Sequence, residues 1–79
     1  MDKSIYSHEY EIFLTFLRKA RKSAKLSQTE LAVKLGETQS FVSKCERGER
    51  RLDIIELRWW LSAMGLSVSK FATNLENKE

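Results

Sequence analysis

One local device recurs three times in this 79-residue chain: an apolar residue, an oxygen-bearing residue directly after it, and a second apolar residue four positions further on. Leu26-Ser27 with Leu31, Leu52-Asp53 with Leu57 and Leu66-Ser67 with Phe71 all follow it. Each places a side-chain acceptor where a helix leaves its first N–H groups unpaired, and flanks it with a hydrophobic staple. In the first two, Glu30 and Glu56 stand three residues after the cap and complete a capping box. Thr38, before Gln39, is a fourth cap. There is no proline, and Gly36, Gly48 and Gly65 each follow a helix-like segment, where glycine ends a helix by turning left-handed. No stretch of four or more residues alternates as a half-buried strand would. A chain punctuated in this way is all-α.

Apolar periodicity places five helices. They run over about residues 8–24, with Phe13, Leu14, Leu17, Ala20 and Ala24 on one stripe, and 28–35, with Leu31, Ala32 and Leu35 inward. The third covers about 39–47, with Val42 and Cys45 inward; the fourth 54–64, with Leu57, Trp60, Leu61 and Met64; the fifth 68–75, with Phe71 and Leu75. The linkers are short, so neighbouring helices must pack on one another. Residues 1–79 form a single domain.

Several function classes drop out. His8 is the only histidine and Cys45 the only cysteine, on different helices, so no metal site and no disulfide framework is expected. There is no nucleophile elbow, glycine-rich phosphate loop or paired catalytic carboxylates, so neither an enzyme nor a cofactor is expected. No apolar run approaches the roughly 18 residues of a membrane span. Met1-Asp2-Lys3-Ser4 lacks a signal-peptide layout. The expected location is cytoplasmic and nucleoid-associated, with no membrane partner.

The net charge of +3 hides an asymmetry. Residues 1–17 balance to −2 (Lys3 against Asp2, Glu9 and Glu11), and residues 52–79 to −1 (Arg58, Lys70 and Lys78 against Asp53, Glu56, Glu76 and Glu79). Residues 18–51 carry ten Lys/Arg against Glu30, Glu37, Glu46 and Glu49, a balance of +6. Such a concentration is a footprint for phosphate, which duplex DNA carries at about one charge per 1.7 Å of axis, although a solvated helix face carries charge too.

The basic stretch holds the decisive motif. Over about 28–47, two short helices flank Gly36-Glu37-Thr38, the spacing of a helix-turn-helix. Ala32 is small where the helices cross, Gly36 permits the positive φ of the turn, and Val42 and Cys45 fix the second helix on the first. Gln39, Ser40, Ser43 and Lys44 remain on a polar outer face, suited to a major groove about 12 Å wide.

The run Leu26-Ser27-Gln28-Thr29-Glu30-Leu31-Ala32-Val33-Lys34-Leu35-Gly36, followed by Gln39-Ser40-Phe41-Val42-Ser43-Lys44-Cys45-Glu46-Arg47-Gly48-Glu49-Arg50-Arg51, resembles the Cro/CI-type (XRE) helix-turn-helix regulators over about residues 13–75. The resemblance implies a compact five-helix, lambda-repressor-like domain that binds double-stranded DNA. It implies base reading by Gln39 and Ser40, with Lys44 one turn on and Ser43 and Phe41 flanking. Phe41 could instead simply cover the junction of helices two and three. Gln28 is implied to bind a phosphate at a helix N-terminus, and Arg47, Arg50 and Arg51 to clamp phosphates from the following loop. Arg21 and Glu46 are implied to form a structural ion pair. Cys45 and Leu52 depart from the residues many relatives carry, but neither lies on the reading face.

One helix-turn-helix reads too few base pairs for a tight site, so a homodimer on half-sites about 34 Å apart is expected. Trp59 and Trp60 cannot both face one core. With Trp60 inward, Trp59 and its neighbour Ile55 offer an interface through helices four and five. Ile12 and Phe16 form a second apolar stripe on helix one, unless Ile5-Tyr6 or Leu75 covers them. The leading expectation is a sequence-specific repressor. The alternative is an antitoxin-type module that neutralises a protein partner and autoregulates its operon; a restriction–modification controller would share this size and fold.

Overall fold

Ser27 and Asp53 close their capping boxes as the spacing requires. Ser27 Oγ accepts from Glu30 N–H at 3.0 Å while Glu30 accepts from Ser27 N–H at 2.8 Å. The corresponding distances for Asp53 and Glu56 are 2.7 and 3.1 Å. Thr38 and Ser67 accept from the N–H groups of Phe41 and Lys70. These caps open four of the five helices in this computed structural model, which describes the backbone of residues 3–77 and the side chains of residues 8–77. The order is α1 (Lys3–Ser23), α2 (Gln28–Leu35), α3 (Gln39–Glu46), α4 (Ile54–Ala63) and α5 (Val68–Glu76). Among the described residues there is no strand.

Two boundaries of α1 differ from the sequence expectation. The helix is already formed at Lys3, five residues before His8. Nothing between them breaks a helix, and propagation adds one hydrogen bond for each residue ordered. Its other end lacks a glycine; Lys25 takes the left-handed conformation instead, at φ 61°. Leu26 N–H then reaches back to Arg21 C=O at 3.2 Å, satisfying a carbonyl the helix end would orphan. At the end of α3, Arg47 is the cap rather than a helical residue.

Leu17, Leu31, Ala32, Leu35, Val42, Cys45, Trp60, Leu61 and Phe71 form one buried cluster. Trp60 is its largest fully buried side chain, with the Phe41 ring 6.1 Å from its own. Its indole N–H has no acceptor among the described residues. That costs about 1–3 kcal/mol. Burying roughly 150–250 Å² of aromatic surface at about 25 cal/mol per Å² returns about 4–6 kcal/mol, so burial wins. Gly48 (φ +81°) closes the turn after α3 against α1, where an added Cβ would lie 2.9 Å from Leu14 Cδ1.

The second apolar stripe expected on α1 is not separate. Phe16 packs on the central cluster, because positions 13, 16, 17 and 20 share one helical face. Ile12 is half-buried and lines a shallow depression with Leu75. Cover by Ile5 and Tyr6 lies outside the described side chains.

Candidate nucleic-acid interface

Gly36 turns the chain between α2 and α3 at φ +70°. Ala32, Val42 and Cys45 are buried where the two helices meet. This packing leaves Gln39, Ser40 and Lys44 exposed on the outer side of α3, with Ser43 half-buried beside them.

A polar relay runs from the core to this face. Glu46 is 1% exposed and Arg21 8%. Arg21 Nε donates to Glu46 Oε2 at 2.7 Å and Nη2 to Oε1 at 3.1 Å, a bidentate fork across α1 and α3. Arg21 Nη1 also donates to Leu26 C=O at 2.9 Å. Gln28 Nε2 donates to Glu46 Oε1 at 3.0 Å, and Gln39 Nε2 donates to Gln28 Oε1 at 2.7 Å. Gln39, the first residue of α3, is thus propped on Gln28, the first of α2. One N–H of its amide is spent on the prop; the second N–H and the carbonyl oxygen are the pair that bidentate adenine recognition uses.

Arg18 was not singled out in the sequence. Its Nη1 donates to the Glu46 carbonyl at 2.7 Å, so α1 also grips the C-terminal backbone of α3. A cation one turn before Arg21 on the same helix was the available signal.

The loop arginines are engaged within the chain. Arg47 donates to Glu49 at 2.9 and 3.3 Å and also to Ser43 Oγ. Arg50 donates to both oxygens of Glu56, at 2.7 and 3.1 Å, and its guanidinium lies 5.0 Å over the Phe41 ring. Arg51 lies 4.1 Å over the Tyr10 ring, whose hydroxyl accepts from Leu52 N–H at 3.4 Å. The Arg47 hydrogen bonds and charge hold the Glu49 carboxyl below the usual carboxylate range, with a smaller contribution from Lys44. The Arg50 hydrogen bond, then that from Asp53 N–H, does the same for Glu56. Their partners Arg47 and Arg50 are shifted upward, chiefly by the same hydrogen bonds.

Phe41 takes the second of its two expected places, as cover for the junction of α2 and α3. It packs half-buried on the core and against Trp60, covering the α2–α3 junction and flooring Arg50. Cys45 is fully buried, and burial pushes its thiol up despite the opposing charge of Arg50. On α4, Ile55 is 66% and Trp59 41% exposed, with Ile54 exposed beside them. Among the described residues no group of three or more His, Cys, Asp or Glu could hold a metal. No helix there is long and apolar enough to cross a membrane.

A helix-turn-helix family model matches residues 17–71. The chain is also similar to a solved structure, an XRE-family like protein from Pseudomonas syringae pv. tomato str. DC3000. The two share 41% sequence identity and a TM-score of 0.87 over 96% of this chain and 93% of that one. No curated protein matches the sequence.

Proposed function

The chain belongs to the XRE-type helix-turn-helix family of DNA-binding transcriptional regulators, and on that premise we propose that it binds an inverted-repeat operator sequence-specifically, as a homodimer, and represses by occluding a promoter. In this reading α3 enters the major groove. Gln39, Ser40, Ser43 and Lys44 meet base edges, while Gln28, Arg47, Arg50 and Arg51 meet phosphates. At the start of α2, the Gln28 backbone N–H has no carbonyl one turn back and suits an anion.

The observation that carries the reading is the relay from Arg21 through Glu46 and Gln28 to Gln39. A glutamine anchored through a fully buried carboxylate presents its amide in one orientation. That suits reading a base edge, and generic phosphate attraction does not need it.

The test is selection of bound duplexes from a random pool at near-physiological salt. The expected product is an inverted repeat with half-site centres about 34 Å apart, one helical turn. Recovery of no motif, with binding that vanishes as salt rises, would overturn sequence-specific regulation and turn the search toward a protein partner.

A further inference from the structure

The two arginines nearest the recognition helix are already held by carboxylates of this chain. Arg47, which also touches Ser43 on α3, is paired with Glu49, and Arg50, stacked over Phe41 of α3, is paired with Glu56. A guanidinium fork grips a carboxylate and a phosphate by the same chemistry, two parallel N–H donors on two oxygens of one anion. It cannot offer the same pair of donors to both. Glu49 lies close enough to Lys44 for that ammonium to favour its charged form, so it stands among cations from both groups of the candidate interface.

Both carboxylates can be released without being stranded. The Glu49 side chain is 56% exposed, so water can take over from Arg47. Glu56 keeps its hydrogen bond from Asp53 N–H when Arg50 leaves. Exposed pairs of this kind are weak, so they compete with DNA rather than forbid it.

We propose that Glu49 and Glu56 are resident competitors for the DNA backbone, occupying the seats of two phosphates and thereby holding generic DNA affinity down and its salt dependence shallow. A duplex that also satisfies Gln39 gains a contact the carboxylates do not contest. The inference rests on Arg47 and Arg50 being phosphate contacts.

Fluorescence anisotropy with a labelled mixed-sequence duplex, titrated from about 50 to 200 mM salt, tests it. Glu49→Gln and Glu56→Gln keep hydrogen-bonding capacity and remove the charge. Glu76→Gln, on α5, makes the same change in net charge elsewhere on the molecule. Each of the first two variants is expected to bind about fivefold tighter at low salt, the effect of one unit charge about 4 Å away in water. The slope of log affinity on log salt is expected to steepen by up to about 0.9. Binding no tighter than that of Glu76→Gln overturns the proposal. Arg47→Gln and Arg50→Gln separate the two levels. If they weaken binding while the glutamate variants do not tighten it, competition fails and the phosphate contacts stand. If they leave affinity and slope unchanged, the phosphate contacts fail and the proposal fails with them. Should Glu56→Gln disturb the α4 cap, visible as lost helicity, Glu49→Gln in the loop carries the test alone.

Discussion

A carboxylate that is 1% exposed must be paid for by its neighbours, and Glu46 receives two donors from Arg21 and one from Gln28. Removing Arg21 strands that charge. Arg21→Met is therefore expected to lose about 3–5 kcal/mol of stability in urea unfolding. A loss well under 1 kcal/mol would mean that Glu46 finds water instead. Two glycines give a sharper comparison. Gly36 and Gly48 share a positive φ, but only at Gly48 would a Cβ meet another side chain, Leu14, at 2.9 Å. Gly36→Ala should cost about 1–2 kcal/mol from the backbone alone. Gly48→Ala should cost about 1–3 kcal/mol more, from overpacking. Equal shifts in urea midpoint would refute the packing argument. Lys25 shows where residue-level reading stops, because a left-handed lysine carries no compositional signal. The turn is set by the approach of α2, and the preference of lysine yields to it.

At the scale of elements, the caps of α2 to α5 were legible because each is a contact within four residues of chain. The start of α1 was not, since a helix without a breaker simply propagates. The position of α3 was legible for the same local reason. The partners of its flanking arginines were not: Arg50 and Glu56 are six residues apart across an irregular turn, whose path follows from the seating of Gly48 against Leu14. The relay between Gln28 and Gln39 spans 11 residues and exists only once α2 and α3 have crossed. It makes an element-level prediction. Against single-base variants of the selected operator, Gln39→Ala should lose about 1–3 kcal/mol of discrimination at one position. Gln28→Ala should blur that same position by removing the prop, while keeping the backbone N–H at the start of α2 that suits a phosphate. Unchanged preference at that position in Gln28→Ala would show that the prop does not orient the reading residue.

At the scale of the molecule, Trp60 is fully buried and its neighbour Trp59 is left at the surface beside Ile55, a division that a helix imposes on adjacent residues. If that surface pairs two copies, the double variant Ile55→Glu with Trp59→Glu should keep its melting temperature within a few degrees. It should sediment with operator as independent monomers where the parent sediments as a dimer. Dimers in both would place the interface elsewhere. The buried cluster has one further consequence. Cys45, the only cysteine of the chain, faces inward from the helix whose other side carries the proposed base-reading residues. A thiol reagent can reach it only while α3 is lifted from α1 and α2. When reclosing is fast, the labelling rate is then proportional to the population of that opened state. Bound duplex should slow the reaction in proportion to the protein it holds closed. Helix α3 thus carries its own clock, and a stopwatch with an aromatic disulfide reagent would time how often the proposed reading surface lets go.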